Sequence, residues 1–267
     1  MKKKLQVLSL ATVLLTLIGI TNVYSQWALN KGEGGLIMSL RYYQSTEFYD
    51  ALGNKLGATN DGKFSKYELG GFYGVGLGKN WGLFTGFSIA ALRYEDKYID
   101  NKSAGFTNPT VGIIYQFTNF PSPIFGLAFS INLPLHFPKN EAPELGAKFF
   151  EFELNPALGS GFNIGKNPGF WSIGIAGKYR ANEYNEFQYR AYSNNGFDII
   201  REKLQLFVGL EYAKSTNRPF RSFKLGGTLL YKLSKSVGIG GFYENLIDGQ
   251  DIGTGPSAGL TLWYNYR

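Results

Sequence analysis

Residues 125–136 read FGLAFSINLPLH, and this stretch decides the fold class. Large apolar side chains occupy every second position, and glycine, alanine, serine and asparagine fill most of the positions between them. Successive side chains of a β-strand point to opposite faces, so a period of two indicates a strand. The same alternation recurs at 149–162, 170–181 and 198–213. The pattern predicts an all-β protein.

Alternation alone does not say whether the apolar face is buried or meets lipid. The predicted strands run to roughly 10 to 14 residues, whereas strands in globular proteins average about 5 to 6 and membrane strands need about 9 to 11. A sheet in hydrocarbon must also close on itself, because an open edge leaves backbone groups unpaired. We therefore predict a closed antiparallel transmembrane β-barrel. The alternative is a secreted soluble sandwich or a lipocalin-like barrel.

The strand number follows from parity. Outer-membrane barrels have an even number of strands, with short periplasmic turns and longer external loops. We predict about twelve strands, within a range of ten to fourteen, with tight turns at 79–80, 193–196 and 234–235. The longest predicted loops cover 48–63, 95–107 and 137–148. The predicted strands are 35–47, 64–77, 81–94, 108–118, 124–136, 149–162, 170–181, 185–193, 198–213, 221–233, 236–244 and 254–266.

The first 25 residues have the features of an export signal. Three lysines at 2–4 precede an apolar run over 7–20, and Val23-Tyr24-Ser25 provides a cleavage site. The apolar run is too short to be a comfortable membrane anchor. We expect residues 1–25 to be a cleaved signal peptide and residues 26–267 to form a barrel in the outer membrane of a Gram-negative-type bacterium.

Composition excludes several classes of function. The chain has no cysteine, which rules out disulfides, thiolate metal sites and thiol nucleophiles. Its formal charge of +7 falls to +4 without the three lysines of the signal, and the remaining basic residues form no cluster. We therefore expect outer-membrane lipid and a small solute as partners, and no nucleic acid, cofactor or metal.

The chain has one histidine, His136, which is the candidate base of a membrane-embedded hydrolase. Ser130 and Asn132 share its predicted face, but they lie about 20 Å and 13 Å away along an extended strand. Neither is within hydrogen-bonding distance. We expect no enzymatic activity, and the hydrolase remains the least favoured of three hypotheses.

If the apolar face meets lipid, the opposite face lines the lumen and carries both signs of charge. A lysine or arginine on the lipid face near the midplane would cost about 2–4 kcal/mol. The charges line a water-filled path in one interpretation, and neutralise one another inside a plugged barrel in the other. The candidate lumen residues are Arg41, Lys66, Glu68, Glu151, Glu153, Lys178, Arg180, Lys203, Glu211 and Lys224.

Several short motifs resemble one family of outer-membrane barrels. They include WALNKGEGG at 27–35, LIMSLRYY at 36–43, EFYD at 47–50, Tyr179-Arg180 and Gly253-Thr254-Gly255. In these segments the chain resembles the barrels catalogued as meta-pathway phenol degradation proteins. That resemblance implies a transporter-like barrel that admits aromatic or other hydrophobic compounds, and it implies no catalytic residue. A passive channel is the first hypothesis, and a structural or partner-binding barrel with a plugged lumen is the second.

Overall fold

The computed structural model describes residues 29–117, 123–134, 142–182 and 185–266. The predicted signal peptide and His136 lie outside the described residues. No helix of the described residues is long and apolar enough to cross a membrane. The strands are β1 (Gly34–Ser45), β2 (Glu47–Tyr49), β3 (Lys55–Gly57), β4 (Lys63–Gly78), β5 (Trp81–Glu95), β6 (Asp100–Phe106), β7 (Thr110–Phe117), β8 (Ile124–Asn132), β9 (Glu151–Ile164), β10 (Asn167–Arg180), β11 (Glu186–Ile200), β12 (Leu204–Ser215), β13 (Arg221–Lys232), β14 (Val237–Gln250), β15 (Ile252–Thr254) and β16 (Pro256–Tyr266).

Twelve of these strands form one closed barrel, made of β1, β4, β5, β7–β14 and β16. Neighbouring strands are antiparallel, and β1 pairs with β16 from Gly34↔Tyr266 to Tyr43↔Ser257, which closes the sheet. The predicted closed barrel of twelve strands is confirmed. Because twelve is even, the two ends of the described chain meet at one end of the barrel, which we call the terminal end. We call the opposite end the loop end.

The outward face of the barrel is apolar along its whole circumference. Side chains such as Ile175 and Leu260 are 64% and 66% exposed, although the hydrophobic effect favours burying them. Inward positions are taken mainly by small and polar residues, and Ser172 and Ser222 are almost completely buried. This inside-out distribution suits a sheet whose outer surface meets hydrocarbon rather than water.

Short strands extend the barrel at the loop end. β15, β2 and β3 form a separate three-stranded sheet, and β6 pairs with the outer half of β5. Two of the predicted long loops therefore contain strands.

In the β5–β6 hairpin, the Arg93 guanidinium hydrogen-bonds Asp100 and, together with Lys102, lowers the pKa of that carboxyl to about 2. Asp100 therefore contributes to hairpin stability above its unfolded pKa, and this contribution is lost as the pH falls through about 2.

The tight turn predicted at 193–196 is wrong. β11 continues to Ile200, and the chain turns at 201–203 instead. The residues at 193–196 are polar or small and resemble a turn in composition, but each pairs on both sides, as in Asn194 with Ser172 and Gly209. Cross-strand pairing therefore overrides the local turn preference of Ser193-Asn194-Asn195-Gly196.

The true turn is held by a buried carboxylate. Asp198 is 1% exposed, accepts a hydrogen bond from the Glu202 N–H at 2.8 Å, and pairs with Lys232 Nζ at 3.0 Å. Glu202 has a φ of 59°, a conformation that a tight turn requires. Lys203, predicted to line the lumen, ends this turn and is exposed, so its placement in a strand was wrong.

Replacing Asp198 with alanine should lower the free energy of unfolding by about 2–3 kcal/mol, because Lys232 and the Glu202 N–H lose a buried partner. Urea unfolding in lipid vesicles, followed by tryptophan fluorescence, measures the change. Glu202→Ala is the control, since that side chain is 75% exposed at the same turn, and it should change stability by less than about 0.5 kcal/mol. Equal losses in both variants would contradict the role of Asp198.

Candidate functional site in the barrel interior

Four charged residues of β9 and β10 meet inside the barrel. Glu151 and Glu153 are two residues apart on one strand, as are Lys178 and Arg180 on the next, so all four point inward. Arg180 Nε lies 2.7 Å from Glu151 Oε1, and Lys178 Nζ lies 3.4 Å from Glu151 Oε2 and 3.8 Å from Glu153 Oε2. Asn132 Nδ2 also donates to Glu151 Oε2 at 2.7 Å. Two cations and an amide thus compensate the burial of this carboxylate.

The chain of ion pairs continues around the barrel wall through Arg190. Its Nη2 lies 2.6 Å from Glu153 Oε1, and its Nη1 lies 3.4 Å from Glu211 Oε2. Lys224 Nζ then lies 3.7 Å from Glu211 Oε1. Acids and bases therefore alternate across five neighbouring strands. We call this set the ion-pair ladder, and its members are Arg180, Glu151, Lys178, Glu153, Arg190, Glu211 and Lys224.

The remaining predicted lumen residues lie on β1 and β4. Lys66 Nζ pairs with Glu68 Oε2 on the same strand. Arg41 is the cross-strand neighbour of Glu68, but its guanidinium lies over the Phe242 ring, 5.2 Å from the centroid. Arg41 thus contacts β14 through a cation–π interaction, across the intervening strand β16.

Five further interior charges lie outside the set predicted from the sequence: Glu186, Arg190, Asp198, Lys232 and Glu244. Glu186 is 1% exposed, accepts a hydrogen bond from Gln188 Nε2 at 2.7 Å, and lies 3.5 Å from Arg180 Nη1. Glu186, Arg190 and Asp198 share one parity on β11, opposite to the apolar Phe187 and Tyr189. That alternation already marks Glu186 and Arg190 within the predicted strand 185–193, and it marks Asp198 once the strand is extended to Ile200.

Three cavities occupy the space between these side chains. The largest, of about 580 Å³, is lined by Arg41, Arg190, Glu211, Lys224 and Glu244, together with aromatic rings. A cavity of about 420 Å³ towards the loop end shares Arg41, Lys224 and Glu244 with it. A third cavity, of about 310 Å³, shares Arg190 and is also lined by Glu151, Glu153 and Lys178. Shared lining residues make the three cavities neighbours within one lumen.

Three aromatic rings cross the interior near the terminal end. The centroids of Phe170 and Phe207 lie 5.7 Å apart, and those of Phe207 and Trp263 lie 4.9 Å apart. The rings come from β10, β12 and β16, so the contacts link non-adjacent strands across the lumen. We call this set the aromatic bridge. It lines the largest cavity and narrows the lumen below it.

The described residues contain no group of three or more histidine, cysteine, aspartate or glutamate side chains placed to hold a metal ion. The interior is suited to non-covalent recognition, because charged groups of both signs line the same cavity as the aromatic bridge. Arginine and glutamate bind carboxylates and ammonium groups respectively, and aromatic rings bind apolar groups.

No protein-family model and no curated protein matches the sequence. Solved structures of several outer-membrane proteins are similar in fold. An outer membrane channel from Pseudomonas putida F1 has a TM-score of 0.66 and 13% identity, and the match covers 92% of this chain and all of that one. The translocator domain of the autotransporter NalP from Neisseria meningitidis has a TM-score of 0.52 and 10% identity, covering 99% of this chain and 96% of that one.

The third structure is the beta domain of the Bordetella autotransporter BrkA, with a TM-score of 0.50 and 11% identity, covering 88% of this chain and 99% of that domain. Identities this low show the fold alone. The chain has the closed antiparallel β-barrel fold that these outer-membrane proteins share.

Proposed function

We propose that this protein lies in the outer membrane of a Gram-negative-type bacterium and admits small solutes passively through its lumen. Its exposed apolar belt supports the membrane location, because such a surface does not suit a protein surrounded by water, and its closed sheet leaves no unpaired backbone edge in hydrocarbon. The similar fold of outer-membrane barrels supports the same location. Polar and charged side chains are turned inward, where they provide a hydrophilic lining.

The observation that carries the transport proposal is the row of neighbouring cavities in the lumen. The two largest share Arg41, Lys224 and Glu244, so a solute entering the cavity near the loop end meets the same side chains that line the larger one. A barrel filled solely for stability would be close-packed like other protein interiors.

The aromatic bridge supports our finer proposal that admitted solutes carry hydrophobic or aromatic groups, because its rings line the largest lumen cavity.

A barrel with a plugged lumen and a structural or partner-binding role is the second candidate. The aromatic bridge favours it, since Phe170, Phe207 and Trp263 obstruct the lumen near the terminal end. Apolar constrictions of this kind stop ion flow by excluding water. The third hypothesis, a hydrolase using His136, depends on a residue outside the described part of the chain and stays a prediction.

Conductance in planar bilayers separates the first two candidates. Protein expressed from the full sequence and purified in detergent should produce discrete current steps. Phe207→Ala removes the central ring of the aromatic bridge and should raise the single-channel conductance about twofold or more, because water can then fill the constriction. Phe129→Ala, which removes an outward-facing ring, is the control and should leave the conductance unchanged.

If neither the wild type nor Phe207→Ala, each verified as folded, produced current steps, the result would contradict the channel and favour the plugged barrel. Steps in the wild type that Phe207→Ala does not enlarge would show that the bridge is not the narrowest point.

The ion-pair ladder should control ion selectivity. Glu153→Gln removes a carboxylate that neutralises both Lys178 and Arg190, so the lumen becomes more positive. We expect the anion-to-cation permeability ratio to rise roughly two- to threefold, measured from reversal potentials in a salt gradient. Glu202→Gln at the terminal-end turn is the control. Equal reversal potentials in Glu153→Gln and the wild type would show that ions do not pass the ladder.

A further inference from the structure

Two opposite charges in the described interior stand outside the network of ion pairs. Every other inward-facing charge of the described strands has a partner within 4 Å, whereas Arg41 and Glu244 have no such partner. Glu68, the cross-strand neighbour of Arg41, is already engaged by Lys66. Arg41 and Glu244 are also not paired with each other. Both side chains are partly exposed and line lumen cavities, so a charged solute can reach them.

Both charges face the same place in the lumen. Arg41 on β1 and Glu244 on β14 lie on either side of β16, and both line the lumen cavities of about 580 and 420 Å³. We call the place where these two cavities meet, between Arg41 and Glu244, the junction. Lys224 also lines it, but Lys224 Nζ already lies 3.7 Å from Glu211 Oε1. The junction therefore presents one cation and one anion, each without an ion-pair partner, to a bound solute.

A buried hydroxyl provides a second, independent observation at this junction. Ser257 lies on β16 and is the cross-strand neighbour of Glu244, and it lines the outer of the two cavities. Its side chain belongs to a residue that is 4% exposed, and its Oγ has no hydrogen-bond partner. Buried polar atoms are normally hydrogen-bonded, so this hydroxyl is available to a ligand.

The junction also has an apolar wall. The Phe242 ring lies over Gly259, where an added Cβ would come within 2.6 Å of a ring carbon, and so the ring reaches towards Arg41. Phe242 and Glu244 share the inward face of β14, which places an aromatic surface directly beside the free carboxylate. Phe207 and Trp263 continue this apolar surface deeper in the larger cavity.

We infer that this junction is a binding site for a small zwitterion with an apolar side chain, of the class of the apolar α-amino acids. The carboxylate of the solute binds Arg41, its ammonium group binds Glu244, and Ser257 Oγ hydrogen-bonds one of the two. The apolar side chain packs on Phe242 and on Phe207 and Trp263 of the aromatic bridge. The cavities, of about 420 and 580 Å³, are within the usual range for small-molecule sites. The inference rests on the proposed function only in requiring that solutes enter the lumen.

The zwitterion accounts for both charges, whereas a simple ion accounts for one. A carboxylate without an ammonium group would leave Glu244 unpaired beside a second negative charge. An amine without a carboxylate would leave Arg41 unpaired in the same way. A zwitterion also adds no net charge to a lumen whose other charges are largely paired.

The test uses three solutes that share one branched side chain: L-leucine, isocaproate, which lacks the amino group, and isoamylamine, which lacks the carboxylate. Calorimetric titration of the full-sequence protein in detergent gives a Kd for each. We expect leucine to bind roughly ten- to hundredfold more tightly than either analogue, because each analogue leaves one of the two charges without a charge-assisted hydrogen bond. These measurements on the wild type do not depend on whether any variant folds.

Two variants assign the roles of the charges. In Glu244→Gln, leucine should lose its advantage over isocaproate, and in Arg41→Gln it should lose its advantage over isoamylamine. Glu47→Gln and Lys55→Gln, from an exposed ion pair in the three-stranded sheet, are the matched controls and should bind leucine as the wild type does. Ser257→Ala should weaken leucine binding about threefold to tenfold.

Leucine binding no tighter than isocaproate would reduce the site to a simple anion site and overturn the inference, as would the absence of binding by all three solutes. A uniform loss of binding for every solute in both variants would also overturn it, since the two charges would then have no distinct roles. The outcome is separable from that of the proposed function. Ionic conductance without leucine binding contradicts the zwitterion site alone, and leucine binding without conductance contradicts the channel alone.

Discussion

The structure depends on one constraint, the closure of the sheet by pairing β1 with β16. In hydrocarbon an unpaired backbone N–H or C=O costs several kcal/mol, so a sheet with free edges would not persist there. Closure removes both edges and sets the even strand number. It also gives every strand one outward and one inward face, and this separates apolar side chains from charged ones. The cavities and the charge network both follow from that separation.

Most charges confined to the interior stabilise one another across strands, although Lys66 and Glu68 pair along one strand. Glu151 is bound by Lys178 and Arg180 from the next strand, and Arg190 reaches Glu153 two strands away. Such pairs offset the cost of burial without leaving a large net charge in the lumen. Arg41 and Glu244 are different because they lie on either side of β16 and engage none of these partners.

The largest cavity combines two kinds of lining. Charged side chains such as Arg41 and Glu244 line it together with the aromatic bridge, which lies towards the terminal end. Gly196 permits the close approach of two of these rings, because an added Cβ there would clash with Phe170 and come within 3.1 Å of Phe207. Ionic and aromatic contacts are therefore both available within one cavity.

The sequence alone was enough to predict the strand class, the closed barrel and the face to which a residue such as Glu153 belongs, because the pleat makes facing a local property of alternate positions. It misplaced the turn after β11 and therefore Lys203, because composition at 193–196 resembles a turn while the strand is held by pairing with both neighbours. Only the tertiary structure decided which acid meets which base, and that Phe207 and Trp263 touch across the lumen. Those contacts depend on strand register and barrel closure, which are long-range properties that local alternation does not encode.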